Sequence, residues 1–185
     1  MKPYKELLFK KHNEFDYSDI DEQRALLKME ISAIVEGVDN PDAQDYHILG
    51  LVYYGTSEDN PDLEKAHGFF LSSLEIDSKY NMARLYSAHC SHDLGNYKDA
   101  LKDYLSVDAV ELINDFAFWR YAKLQEQIGY CYHKLGEKKR ALIYFERLLG
   151  FYQRESTDTL VDPTEIFECL DPEHEIVKQI RSYTD

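Results

Sequence analysis

The octapeptide GYCYHKLG, residues 129–136, has a near-twin 41 residues upstream in AHCSHDLG, residues 88–95. Both carry the frame Cys-x-His-x-Leu-Gly. Paired cysteines and histidines invite a zinc reading, but the spacing argues against one. Successive residues on a helix turn by about 100°, so Cys131 and His133 point about 200° apart, as do Cys90 and His92. Neither pair can chelate one ion from a helix. Zinc fingers also space their paired ligands differently, as Cys-x2–4-Cys and His-x3–5-His. What remains is one structural unit written more than once.

Outward from Gly129 the chain reads Gln125-x2-Ile128-Gly129-x2-Tyr132, a turn at Gly136, then Ala141-x3-Phe145. Around Gly50 it reads Tyr46-x2-Leu49-Gly50-x2-Tyr53, a loop, then Ala66-x3-Phe70. A middle copy has Ala88, Leu94-Gly95, Asn96-Tyr97 and Ala100-x3-Tyr104. Small residues stand where two helices must touch, and a bulky residue one turn on fills the gap. Cys90 and Cys131 align with Val52, so the shared position predicts a small buried hydrophobe.

This pattern resembles the tetratricopeptide repeat (TPR), a helix-turn-helix unit of 34 residues. The first copy is also similar to the Sel1-like repeat, in its AQDYHILGLVYYG, long loop and DLEKAHGFFLSSL. The Trp that often opens a TPR and the Pro that often closes one are absent from all three copies. The copies are spaced by 38 and 41 residues. The resemblance covers residues 42–153, and it implies an all-α fold, a right-handed α–α solenoid of about three hairpins. These are expected at 42–55 with 62–76, 80–94 with 97–107, and 115–135 with 138–153.

Flanking helices would cap the array within a single domain, 1–185. Residues 1–41 predict a helical hairpin, its first helix at 3–14 with Pro3 in the permitted first turn. Its second helix, capped from Ser18–Glu22, spaces Leu26, Met29, Ala33, Ile34 and Val38 helically. Residues 154–185 predict two capping helices, 163–169 and 172–183, because Asp162-Pro163 and Asp171-Pro172 each read as an N-cap followed by Pro. Ile166, Phe167, Leu170, Ile176, Val177 and Ile180 would cover the open end of the last repeat.

The net charge is −14 and uneven. Residues 13–80 hold 16 acids against 4 bases, and residues 154–185 hold 9 against 3. Such a field repels nucleic acid and anionic membrane and attracts basic proteins. No run of apolar residues is long enough for a membrane helix or a secretion signal. Three cysteines without a close pair fit a reducing, cytoplasmic setting.

Catalytic motifs fail one by one. His174-Glu175-Ile176-Val177-Lys178 begins like His-Glu-x-x-His but lacks the second histidine. No Gly-x-Gly-x-x-Gly, Walker loop or Gly-x-Ser-x-Gly occurs. The expectation is therefore a non-enzymatic protein with no cofactor and no metal.

In TPR arrays the first helix of each hairpin lines a concave, partner-binding face. By alignment the resemblance places Gln44, His47, Leu51 and Tyr54 on that face from the first copy. Met82, Leu85, His89, His92 and Asp93 come from the second, and Lys123, Glu126, Tyr130, His133 and Lys134 from the third. A solvated helix face of ordinary polar composition is the plainer alternative. Trp119 either packs beneath the preceding helix or anchors a partner. Asp42, Asp45, Glu58, Asp59, Asp62 and Glu64 would steer a basic partner from exposed loops. The functional expectation is an acidic protein-binding module, with an immunity (antitoxin) protein neutralising a basic toxin as the leading instance. The alternatives are a chaperone or adaptor for a secreted protein, or a ligand- or metal-sensing regulator. A scaffold subunit that self-associates through an uncapped end is a third option; self-association is not predicted.

Overall fold

A computed structural model describes residues 3–18, 20–55, 62–114, 118–154 and 163–184. Among these residues there are eleven α-helices and no strands: α1 (Pro3–Asp16), α2 (Asp21–Glu36), α3 (Ala43–Tyr54), α4 (Leu63–Ile76), α5 (Asn81–Asp93), α6 (Tyr97–Tyr104), α7 (Ala109–Asn114), α8 (Phe118–Lys134), α9 (Lys138–Tyr152), α10 (Ile166–Cys169) and α11 (Glu175–Thr184). They fall into two compact units, Met1–Gly95 and Asn96–Asp185. The division lies between α5 and α6, inside the second hairpin expected from the sequence.

The twin motif that opened the sequence marks two helix ends. Gly95 and Gly136 both sit at positive φ, 77° and 81°. Their amides donate to the carbonyls of His92 (2.8 Å) and His133 (2.9 Å), closing α5 and α8. Only glycine takes this left-handed conformation without steric cost, which is why Leu-Gly recurs there.

In the first unit each of α1 to α4 packs on the next helix. One core joins Leu8 and Phe15 of α1, Leu27, Ile31 and Val35 of α2, and Ile48, Leu49 and Val52 of α3. A second gathers Tyr53, Ala66, Phe70, Ala83 and Cys90. Gly50 of α3 lies against the Phe70 ring, where even a methyl group would overlap it. Burying a ring such as Phe70 stabilises by roughly 1.5–3 kcal/mol. Asp42 and Asp45 form a reciprocal capping box at the start of α3, and the Ser73 hydroxyl donates to the Ala43 carbonyl (2.7 Å), fastening α4 to that same end.

Helix α2 corrects the expected apolar stripe. The buried residues are Leu27, Ile31 and Val35, whereas Leu26 and Met29 are 62% and 69% exposed. Two apolar stripes run along this helix, and spacing alone does not say which one faces the core. Its N-cap is Ile20, without a side-chain capping bond; Ser18 Oγ instead accepts weakly from the Ile20 amide (3.4 Å).

In the second unit α8 is the hub, packing against α6, α7, α9 and α10, while α11 packs on α9. Gly129 repeats the arrangement of Gly50, with its partner ring supplied by Phe145. The buried Tyr104 hydroxyl donates to Gln127 Oε1 (2.7 Å), tying α6 to α8. Helix α7 was not expected. Asp108 starts it by accepting from the amides of Val110 (3.0 Å) and Glu111 (3.3 Å), and Leu112 is its one buried side chain. The C-terminal helices begin three residues later than expected. Asp171 Oδ1 accepts from the Glu173 amide (2.8 Å), so Asp171-Pro172 builds a turn before α11 and not its first helical residue. Asp162 lies outside the described residues. Ile166, Ile176, Val177 and Ile180 are buried.

Candidate binding face

In the first unit, His47 and Tyr54 of α3 and His89 of α5 each meet the ring of Tyr86. His47 stands 5.0 Å from Tyr80, 5.6 Å from Phe70 and 5.8 Å from Tyr86, ring centre to ring centre. The Tyr54 hydroxyl donates to Asp93 Oδ2 (2.8 Å), and His92 Nδ1 lies 3.1 Å from Asp93 Oδ1. Burial opposes ionisation of Asp93, but the bonds from His92 and Tyr54 outweigh it and hold the carboxyl below its usual range. Burial pushes the Tyr54 hydroxyl up, reinforced by the Asp93 charge. Tyr86 and Tyr80 complete this aromatic cluster and were not among the expected residues. Tyr86 falls four residues after Met82, a helical repeat that could have revealed it.

Several residues aligned to the concave, partner-binding face are buried. His47, Leu85 and His92 are buried in the first unit, and Glu126 and Tyr130 in the second. Leu51, Tyr54, Met82 and His89 are partly buried, the Asp93 side chain is 34% exposed, and Gln44 is exposed. The aligned positions pack against the next helix as well as pointing outward, and alignment to a repeat does not separate these two duties.

In the second unit the covering element is the chain's own C-terminal segment. Glu126 is 1% exposed, and its Oε1 accepts from the amides of Glu165 (2.7 Å) and Ile166 (3.2 Å). Lys123 Nζ bridges Glu126 (2.9 Å) and Glu165 (3.3 Å). Burial disfavours the Lys123 charge, yet the two carboxylates outweigh that and hold its pKa above the usual lysine range. Tyr130 donates to Glu168 Oε2 (3.0 Å), and burial lifts its pKa to about 12. Lys134 lies 4.7 Å over the Tyr130 ring. His133 is partly exposed; burial, together with Lys138 and Lys134, lowers its pKa.

A matching cluster sits at the other end of the chain. Lys5 Nζ reaches Asp42 Oδ1 (2.7 Å) and Asp45 Oδ1 (2.6 Å), and the Tyr4 hydroxyl donates to Asp45 Oδ2 (2.9 Å). Asp45, expected as an exposed steering charge, has no exposed side chain. The spacing Asp42-x-x-Asp45 is that of a capping box, a signal that could have removed it from the surface set. Asp42 remains half-exposed, and Asp62, exposed, caps α4 through the Lys65 amide (3.2 Å). Glu64 is exposed. Glu58 and Asp59 lie outside the described residues.

Val52, Cys90 and Cys131, aligned from the sequence, are all fully buried. Burial pushes the Cys90, Cys131 and Cys169 thiols up to about 12, which keeps them protonated and poorly nucleophilic near neutral pH. Trp119 is 39% exposed, with the Arg120 guanidinium 4.4 Å over its ring. Among the described residues no group of three or more His, Cys, Asp or Glu is placed to hold a metal ion, and no helix is long and apolar enough to cross a membrane. Compared with known protein families, curated proteins and solved structures, the chain matches none.

Proposed function

We propose that the chain is a non-enzymatic protein-binding module, built as a TPR- or Sel1-like array of helical hairpins, whose acidic first unit receives a basic protein. An immunity protein that neutralises a toxin is the instance that best suits its size and charge. The observation that carries this is the fate of the charges. The buried carboxylates Asp45 and Glu126 are consumed internally by Lys5 and Lys123. In the first unit, which holds 18 acids against 9 bases, Asp21, Glu22, Glu36, Asp39, Asp62 and Glu64 are all exposed. Such a surplus steers a cationic protein and repels an anionic one. The repeated Gly50–Phe70 and Gly129–Phe145 contacts support the repeat reading.

Capture on the immobilised full chain, with bound proteins identified by mass spectrometry, tests the proposal. The expected partner is a basic protein that is released as salt rises. An acidic partner retained in high salt would contradict it.

A further inference from the structure

The outward face of α2 carries a seam. Glu22, Leu26, Met29, Ala33 and Glu36 recur at intervals of four and three residues and are all exposed. That spacing keeps them in one line along a helix, as in a coiled-coil interface. The seam is apolar in the middle and acidic at both ends, and it spans about 21 Å.

A cavity of about 260 Å³ opens beside its C-terminal end, lined by Ser32, Val35, Glu36, Pro41, Leu49 and Phe69 among others. It is smaller than the roughly 300–1,000 Å³ of small-molecule sites, and suits a single long side chain. Its lining sets apolar Val35, Val38, Pro41, Leu49 and Phe69 beside Ser32, Tyr46 and Glu36, a mix that suits the aliphatic stem and cationic head of lysine or arginine.

The basic side chains of α2 are engaged elsewhere. Arg24 donates to the Ser18 and Gly55 carbonyls and lies 4.3 Å over the Phe15 ring. Lys28 stands 4.1 Å over Tyr53. Glu30, beside the seam, is paired with Lys11 (2.8 Å). Lys65 of α4 lies within electrostatic reach of Glu36 but donates to the Tyr53 hydroxyl (2.9 Å), so the seam presents Glu22 and Glu36 without a basic residue of α2 between them.

We propose that α2 docks an amphipathic helix of the basic partner. Its apolar residues would run along Leu26, Met29 and Ala33, with a Lys or Arg at each end meeting Glu22 and Glu36. The cation at Glu36 would seat in the cavity. This rests on the basic-partner reading above. A second copy of the chain is a poor occupant, because parallel pairing opposes Glu22 with Glu22 and Glu36 with Glu36, and antiparallel pairing opposes Glu22 with Glu36. Either arrangement sets carboxylate against carboxylate.

The test is an amide NMR titration of the full chain with a synthetic amphipathic helix of about 18 residues, leucines along one face and lysines at both ends. A second peptide with glutamates in place of the lysines is the control. The expected result is shifts at Leu26, Met29, Ala33, Glu36 and Tyr46 with the lysine peptide alone. Met29→Ser and Glu36→Lys, both at exposed positions, should each weaken binding about tenfold, while Glu75→Lys on α4 leaves it unchanged. Equal binding of the glutamate peptide would overturn the docking site, as would a free chain that sediments as a dimer broken by Leu26→Ser. Lysine-peptide shifts confined to other helices would remove the α2 site and keep the basic-partner reading. Absence of binding by the lysine peptide at low salt would count against both.

Discussion

Each unit fastens a terminal segment with a lysine set between two carboxylates, buried at Lys5 and partly buried at Lys123, but the parts are distributed in opposite ways. In the first unit the terminal helix α1 brings the cation, Lys5, and the capping box of α3 supplies Asp42 and Asp45. In the second, α8 holds both Lys123 and Glu126, and the C-terminal segment brings Glu165 and two backbone amides. One unit spends exposed-looking acids on its own architecture; the other covers its aligned binding residues with its own chain. The difference teaches that a polar helix face is not a binding face until the rest of the chain has been placed.

The comparison predicts its own largest effects. Lys5→Met leaves buried Asp45 without its cation and should cost about 3–5 kcal/mol; Lys123→Met removes a partly exposed cation and leaves Glu126 its two amide donors, so it should cost less. Urea unfolding measures the loss, and hydrogen exchange locates it. Lys5→Met should expose amides of α1 and spare residues 163–184; Lys123→Met should do the reverse. Equal loss of protection in both units from either change would break the comparison.

The glycine contacts sharpen it from the side of similarity. Gly50→Leu and Gly129→Leu drive a side chain into Phe70 and Phe145, and each should cost about 1–3 kcal/mol. Thermal melts should show similar penalties at the two sites. An unchanged melting temperature at either would remove the packing equivalence on which the repeat reading stands.

A smaller effect separates the units by pH. Asp42 and Asp93, both in the first unit, have folded pKa values below the ordinary carboxylate range. At each, burial is outweighed by hydrogen bonds, from Lys5 and backbone amides at Asp42 and from His92 and Tyr54 at Asp93. A lowered folded pKa means that the contribution is present above about pH 3.9 and lost as pH falls through the folded value. Lys5 and Lys123 are raised, so their contributions hold below about pH 10.4 and fade above it. Asp93→Asn should flatten the acid limb of stability and leave the alkaline limb as it was. A steep acid limb that survives this substitution together with Asp42→Asn would contradict the assignment.

Much of the helical layout was legible because local chemistry wrote it. Pro3, Asn40-Pro41, Leu94-Gly95 and Leu135-Gly136 punctuate helices whatever lies around them, and ten of the eleven helices overlap expected ones. Helix α7 escaped notice because its start signal is a single aspartate, Asp108. The choice between stripes on α2 was not legible, since Leu26–Met29–Ala33 and Leu27–Ile31–Val35 are both helically spaced. The candidate face was legible only in part. Tyr54 and Asp93, both assigned to it, hydrogen-bond to each other, but the covering of Glu126 and Tyr130 depends on residues some 40 positions away. No local pattern encodes that contact.

The most direct measurement concerns the partner obtained by capture and the salt dependence of its association with the full chain. Between about 0.1 M and 1 M salt the Debye length falls from about 10 Å to about 3 Å. The association rate should drop steeply, and the dissociation rate should change less. Reversing Asp62 and Glu64 to lysine should lower the association rate at low salt, while the melting curve stays that of a folded chain. An association rate indifferent to both salt and these reversals would contradict the claim that the acidic first unit receives a basic protein.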